Sequence, residues 1–285
     1  MLTINTSDIS PLELQGYLQS AIAPRPICLA STIDKEGQVN LSPFSYFNLF
    51  SMNPPICIFS PSRRVRDNTT KHTLENLKEV PECVINIVNY AMVQQVSLSS
   101  CEYPKDINEF TKAGFTQIPS DLVSPPRVAE SPIQLECTVA QIIALGEKAG
   151  AGNLVLAEIK KIHIAESVLN ANNKIDQAKL DLVARLGGDW YARINEQNLF
   201  EVTKPNTQLG MGFDLLPKFI RDHAGLTSNE KAQLANCTTL PASFEQNADA
   251  QVNLTPTNID AIKLELANNN AQSAWTIIEK SASHQ

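Results

Sequence analysis

Residues 40–73 read NLSPFSYFNLFSMNPPICIFSPSRRVRDNTTKHT. Pro54 and Pro55 forbid a helix and lack backbone donors, so they suit the entry to a strand, ICIFS, rather than its interior. Upstream, polar Asn40, Ser42, Ser45 and Asn48 alternate imperfectly with Leu41, Phe44, Tyr46 and Phe47, as in a strand with one apolar side. Downstream, Arg63, Arg64, Arg66 and Lys71 face a single acid, Asp67, among Ser60, Ser62, Thr69, Thr70 and Thr73. Two strands therefore lead into a cationic, hydroxyl-rich loop.

Working outward, PRPICLAST, the polar turn IDKEGQ and VNLSPFSYFN read as a β-hairpin. HTLENLKEV predicts a short helix, VINIVN a strand, AMVQQVSLSS a helix, and NEFTKAGF another helix ended by Gly114. Residues 116–128, with Pro119, Pro125 and Pro126, read as a long surface loop. IQLECTVAQIIAL and NLVLAEIKKIHIAES read as a second hairpin across GEKAGAG. Many short strands with helices inserted and no regular βαβ rhythm predict a mainly β, α+β fold, an antiparallel barrel.

Beyond residue 205 the texture changes. Thr227 and Glu230 have capping-box spacing, and Ile259, Ile262 and Leu266 recur at helical spacing. The expected organisation is a barrel domain over 1–205 and a helical C-terminal extension over 206–285.

Composition sets limits on partners. The chain has 285 residues, 43% hydrophobic and 19% charged, which is ordinary for a globular protein. A net charge of −7 repels nucleic-acid backbones and anionic membranes, so the cationic loop serves a small anion or an ion pair. No apolar run reaches the roughly 20 residues of a membrane span, and MLTINTSDISPLELQ lacks a signal-peptide pattern. The expectation is a cytoplasmic protein with no membrane or nucleic-acid partner. Six cysteines are scattered without C-x-x-C pairs, and Cys28, Cys57 and Cys83 sit inside apolar strand-like runs, so buried thiols are expected; with four dispersed histidines no metal site is expected.

Arginine forks, a lysine, hydroxyls and the N-terminal end of a helix starting near Thr73 are together the donors that a phosphate monoester needs. The competing reading is a solvated loop whose arginines pair with surface acids. The mixed strand before it offers an apolar face and polar edges, as a flat heteroaromatic ring requires, though a barrel strand with its aromatics in the core reads the same way. His72 could bind the phosphate or simply bond nearby backbone, and Trp190 and Tyr191 could cover a ring or anchor packing.

APRPICLASTIDKEGQVNLSPFSYFN followed by NPPICIFSP resembles the flavin reductase-like proteins of the FMN-binding split-barrel group, which includes flavoredoxin. KHTLENL resembles that family's K-D-T-x-x-N-I element: Lys71, Thr73 and Asn76 match, and His72 stands where Asp is common. NEFTKAGF, ESPIQLEC and RLGGDWYARI, with Arg185, Gly187, Gly188 and Tyr191, are similar to further family elements, so that the resemblance covers roughly residues 15–205. It implies a six-stranded split barrel, a homodimer, and FMN near the subunit interface. By resemblance Asn40, Leu41, Ser42, Phe44 and Ser45 approach the isoalloxazine, and Ser60, Arg63, Arg64, Lys71 and Thr73 the phosphate; Asn48 and Thr70 complete the expected cofactor set. The GEKAGAGN turn lacks the His many members carry there, so no role of that His transfers.

With FMN bound, the hard chemistry belongs to the cofactor: hydride from NADH or NADPH reaches it, and electrons pass to free flavin or another acceptor. No catalytic side chain is then required, and the chain shows no G-x-S-x-G or H-E-x-x-H motif. The G-A-G at 150–152 is no Rossmann fingerprint, because Val155 replaces the third glycine and a strand follows. Two other readings stay open at this point: an FMN electron carrier reduced by a redox protein partner, and a non-enzymatic FMN- or anion-binding scaffold.

Overall fold

A computed structural model of the chain describes residues 1–202, 209–239, 241, 244 and 252–282. Internal contacts divide the chain into two compact units, Met1–Leu199 and Phe200–Gln285. The expected boundary after residue 205 lies outside the described residues, as does most of the polar stretch from 237 to 253.

The first unit is built on strands β1 (Arg25–Pro26), β2 (Cys28–Ile33), β3 (Val39–Phe44), β4 (Phe47–Met52), β5 (Pro55–Phe59), β6 (Glu82–Ile87), β7 (Gln117–Ile118), β8 (Arg127–Val128), β9 (Ile133–Ala144), β10 (Asn153–Ile164), β11 (Val183–Arg185) and β12 (Tyr191–Arg193). Seven of them form one antiparallel sheet in the order β3-β2-β6-β9-β10-β5-β4. Its two edge strands, β3 and β4, are joined through Ser45 and Tyr46 alone. Opposite edges of a sheet can be two residues apart in sequence only if the sheet curls until they meet, so this is a barrel split along that line. The sheet has seven strands where the resemblance implied six.

Period-two alternation distributes the core between the two faces of this curled sheet. Cys28 and Ala30 join Phe44, Cys57, Phe59, Cys83, Ile85 and Cys137 inside the barrel. Their neighbours Ile27 and Leu29 join Leu41, Met92, Val96 and Phe110 in a second layer. That layer lies under the helices α3 (Val93–Leu98) and α4 (Glu109–Ala113), the latter ended by Gly114 in the left-handed region at φ 72°. β2 and β6 are consequently buried along nearly their whole length.

The helix α2 (His72–Glu79) packs Leu77 into the barrel interior. Three features depart from the sequence reading. A helix α1 spans Pro11–Ala21, the loop 116–128 contains the short β7–β8 pair, and RLGGDWYARI forms the β11–β12 hairpin, which joins β1 in a separate small sheet. In that hairpin a Cβ on Gly187 would meet Ser20 Oγ at 2.1 Å, and Gly188 has φ 56°, so both glycines are demanded locally.

The second unit is helical over its described residues. Lys218–Arg221, Ser228–Ala235, Pro256–Ala267 and Ala271–Ala282 surround Trp275, Phe244, Leu234, Ile262 and Ile278. Thr227 with Glu230 makes the expected capping box, and Ile259, Ile262 and Leu266 are all buried.

Candidate functional site

Asn40, Ser42 and Phe44 share one face of β3 by parity, and α2 lies on that face. Asn40 Nδ2 donates to the buried Thr73 hydroxyl at 2.9 Å, and Asn76 Nδ2 to Thr32 Oγ1 at 3.2 Å, tying α2 to the β2–β3 hairpin. Leu41 has the opposite parity. Its side chain is in the layer under the helices and its N–H donates to Glu109 Oε2 at 3.0 Å, so neither is turned toward the face shared by Asn40 and Phe44. Asn48 is exposed on β4, where its Oδ1 accepts from the Leu49 N–H.

The loop 60–71 is pinned to the β9–β10 turn. The Arg63 N–H donates to Ala151 O at 2.8 Å, Gly150 N–H to Arg63 O at 3.2 Å, and buried Asn153 Nδ2 to Pro61 O at 3.0 Å. Arg63 also clamps the loop from within, its Nε donating to Asn68 Oδ1 at 2.7 Å and Nη2 to Asn68 O at 2.6 Å. Arg64 donates to Glu102 Oε1 at 3.0 Å, to Thr69 Oγ1 at 2.9 Å and to the Thr70 carbonyl. Arg66 reaches Glu102 Oε2 at 2.8 Å and Asp67 Oδ2 at 3.1 Å. Hydrogen bonds from Thr69, then Arg66, push the Asp67 carboxyl down to about 2, and the Arg66 guanidinium holds Glu102 below the usual carboxylate range. For Arg64 and Arg66, pairing with surface acids is thus what the structure shows.

Lys71 differs from these three arginines. Half-buried, it is the residue preceding α2, and among the described residues no carboxylate or hydrogen-bond acceptor holds its ammonium, which lies 5.8 Å from the centroid of the Phe44 ring. Burial, and then Arg64, lower its pKa. A cation held this way lacks the partner that normally offsets its desolvation. Arg63, Arg64, Arg66, Lys71, Ser62 and Glu102 line a cavity of about 450 Å³. Thr70 turns away to Glu75, donating to Oε1 at 2.6 Å, and His72 is half-buried with its pKa lowered by burial. Buried Ser60 enters the loop, its N–H donating to Tyr46 O at 2.9 Å.

A second cavity, of about 710 Å³, opens beside Phe44 and Ser45 and reaches α3 and the β11–β12 hairpin. Two guanidinium–ring stacks line it: Arg185 over Tyr191 at 4.6 Å and Arg193 over Tyr90 at 3.7 Å. Phe44 lines this cavity and Lys71 the other, so the contact between these two residues is where the cavities approach. A mixed polar and apolar pocket beside Phe44, whose ring neighbours a cation without an acceptor among the described residues, fits a phosphorylated ring. Residues 20–179 match the flavin reductase like domain.

The chain belongs to that family. As a flavin reductase-like protein it is 34% identical over 206 residues to a protein from Halalkalibacterium halodurans, covering 72% of this chain and 97% of the relative. Nitrilotriacetate monooxygenase component B from Bacillus cereus is 31% identical, with TM-score 0.66 over 71% of this chain and 98% of that structure. A split-barrel putative flavin reductase from Shewanella frigidimarina, 23% identical with TM-score 0.61 over 72% of this chain and all of that one, shares the fold. The family match ends before the helical unit.

Among the described residues one trio, Asp121, Glu136 and His163, has metal-ligand geometry. Its charges are already met. Glu136 accepts from the Asp121 and Leu122 N–H groups at 2.9 and 2.6 Å and from His163 at 2.7 Å, while Asp121 pairs with Lys161. The sequence reading missed Glu102 and Tyr90, which reach their cavities from distant segments, and did not single out Asp189 and Arg193 within the RLGGDWYARI element it identified.

Proposed function

We propose that this protein is an FMN-dependent oxidoreductase that takes electrons from NADH or NADPH and passes them to free flavin or another acceptor. The observation that carries the reading is Lys71: a half-buried ammonium without an acceptor among the described residues, at the start of α2, in a cavity with Arg63 and Arg64. A phosphate monoester would supply its missing anion. Ser60 and Thr73 remain in the proposed set as the residues that fix the ends of that cradle, and Thr70 as the carbonyl that orients Arg64. Asn40, Leu41, Ser42, Phe44, Ser45 and Asn48 are proposed to border the ring, Leu41 through its backbone because its side chain lies in the layer under the helices.

Bound FMN would supply hydride acceptance and onward electron transfer. The chain's part is then to bind, orient and shield. No helix among the described residues is long and apolar enough to cross a membrane, and the free buried thiols Cys28, Cys57, Cys83 and Cys137 support a cytoplasmic setting. A homodimer belongs to the same proposal: α1 buries none of its residues, and Leu49, Phe50 and Met52 of the edge strand β4 are 53%, 65% and 77% exposed, surfaces that a second copy would cover.

Anaerobic titration with NADH and then NADPH, following the flavin band, tests the reading. Bleaching on a catalytic timescale supports a reductase and identifies its donor. A yellow protein that neither nucleotide bleaches supports the carrier reading, and a protein that never acquires the band with FMN overturns both.

A further inference from the structure

Arg25 and Arg185 are directly opposed in the antiparallel pairing of β1 with β11. Like charges set opposite one another on a sheet are unfavourable unless an anion lies close. Arg25 is buried and donates only to neutral carbonyls: that of Gln19, that of Ile22 at 2.6 Å and that of Leu186 at 2.8 Å. Its Nε has no partner among the described residues. Arg185 Nη1 donates to Trp190 O at 3.3 Å, and among the described residues no carboxylate pairs with either guanidinium.

Arg185 lines the cavity beside Phe44 and Ser45, and its planar face is fixed over Tyr191. Stacking settles the orientation of the fork while its remaining N–H edge stays available. The other arginine there, Arg193, is neutralised by two bonds to Asp181, at 2.8 and 2.9 Å. Exposed Asp189 is the acid on the cavity wall, and it forms no ion pair with Arg185. The cavity wall also includes the apolar residues Ile27, Val96 and Val183.

We propose that this cavity binds a small organic carboxylate, its carboxylate on the Arg185 fork and its apolar body against that wall. That this carboxylate is the molecule exchanging electrons at the site rests on the function proposed above and calls for a conjugated body; that Arg185 binds it does not. A planar guanidinium recognises a carboxylate by two parallel N–H···O bonds, which a neutral amide cannot reproduce.

Isothermal titration calorimetry of the full-length protein with benzoate, and with benzamide as the uncharged isostere, provides the test. Benzoate is expected to bind at least ~10-fold more tightly than benzamide, and Arg185→Gln to weaken benzoate by a similar factor. Asp189→Asn removes a negative charge on the cavity wall that would repel the bound carboxylate and is expected to tighten benzoate; it serves as the test if Arg185→Gln fails to fold. Equal binding of the two probes, or benzoate affinity unaltered by both substitutions, overturns the assignment. The heats are read with or without flavin, so a protein that never binds FMN fails the functional reading while this test stands.

Discussion

Glu102 bridges two arginines of the 60–73 loop, accepting from Arg64 Nε at 3.0 Å and from Arg66 Nη2 at 2.8 Å. Its carboxylate therefore supplies negative charge to a cavity that also holds Lys71, which has no acceptor among the described residues. If the phosphate of FMN is bound there, it competes with Glu102 for Arg64. Arg64→Ala and Lys71→Ala are expected to weaken FMN by about tenfold or more while leaving riboflavin nearly unchanged. Glu102→Gln should tighten FMN about threefold, the scale of a partly exposed ion pair. Fluorescence titration with both ligands measures each effect, and equal losses for FMN and riboflavin would contradict phosphate anchoring.

The pKa of Lys71 is lowered by burial and by Arg64. A bound phosphate favours the charged form and raises that pKa, so binding takes up a proton wherever the free protein has lost one. FMN affinity should then fall relative to riboflavin as pH rises through the lowered pKa, below the ordinary lysine value, and Lys71→Arg should move that fall to higher pH. A ratio of affinities flat through the alkaline range would count against Lys71.

Thr32, Asn40, Thr73 and Asn76 are buried together, and the Asn40–Thr73 bond joins β3 to α2. Asn40→Ala leaves the Thr73 hydroxyl without its donor and is expected to cost about 1–3 kcal/mol in chemical denaturation. If the strand and helix are set by this bond, FMN binding should weaken in the same variant.

Glu136 is buried, yet its carboxyl is held below the usual range: burial would raise it, but the Asp121 N–H, His163 and the Leu122 N–H outweigh burial. A carboxyl depressed in the folded state contributes stability above its unfolded pKa and loses it as pH falls through the folded value. Thermal stability should drop on acidification below about pH 4.5. Glu136→Gln should cost about 1–3 kcal/mol at neutral pH and flatten that acid slope.

The two tryptophans occupy opposite environments. Trp190 is 76% exposed, whereas Trp275 is 1% exposed and donates its indole N–H to Leu234 O at 3.1 Å. Trp190→Phe should leave blue-shifted emission resistant to iodide, which reports on the helical unit alone. Trp275→Ala should destabilise that unit by about 3–5 kcal/mol, read by denaturant-induced loss of circular dichroism.

Much of the barrel was legible because its strands are long or bounded by strong turn residues. β2 and β3 flank a polar turn, and β9 and β10 are twelve residues each. α1 was missed because it buries nothing and so carries no core-facing stripe; the Ser10–Glu13 capping box with Pro11 behind it was the available signal. β11 and β12 are three residues each, too short for a periodicity to show. At the site, the cations and hydroxyls could be read locally, but their partners could not: Glu102 lies 38 residues from Arg64. Leu41 could have been placed more finely, since its parity relative to Phe44 already turns its side chain to the other face of β3.

The placement of the cysteines has a practical outcome for reagents. Burial pushes the Cys28 thiol up, the Cys137 thiol and burial push Cys57 up, and both residues are enclosed in the barrel with Cys83 and Cys137. Cys101 is exposed and precedes Glu102 in the chain. A maleimide dye on the native protein should therefore react there ahead of the barrel thiols, placing a fluorophore one residue from the carboxylate that bridges Arg64 and Arg66. Its emission would follow occupancy of that cradle in real time, without reliance on the colour of the cofactor.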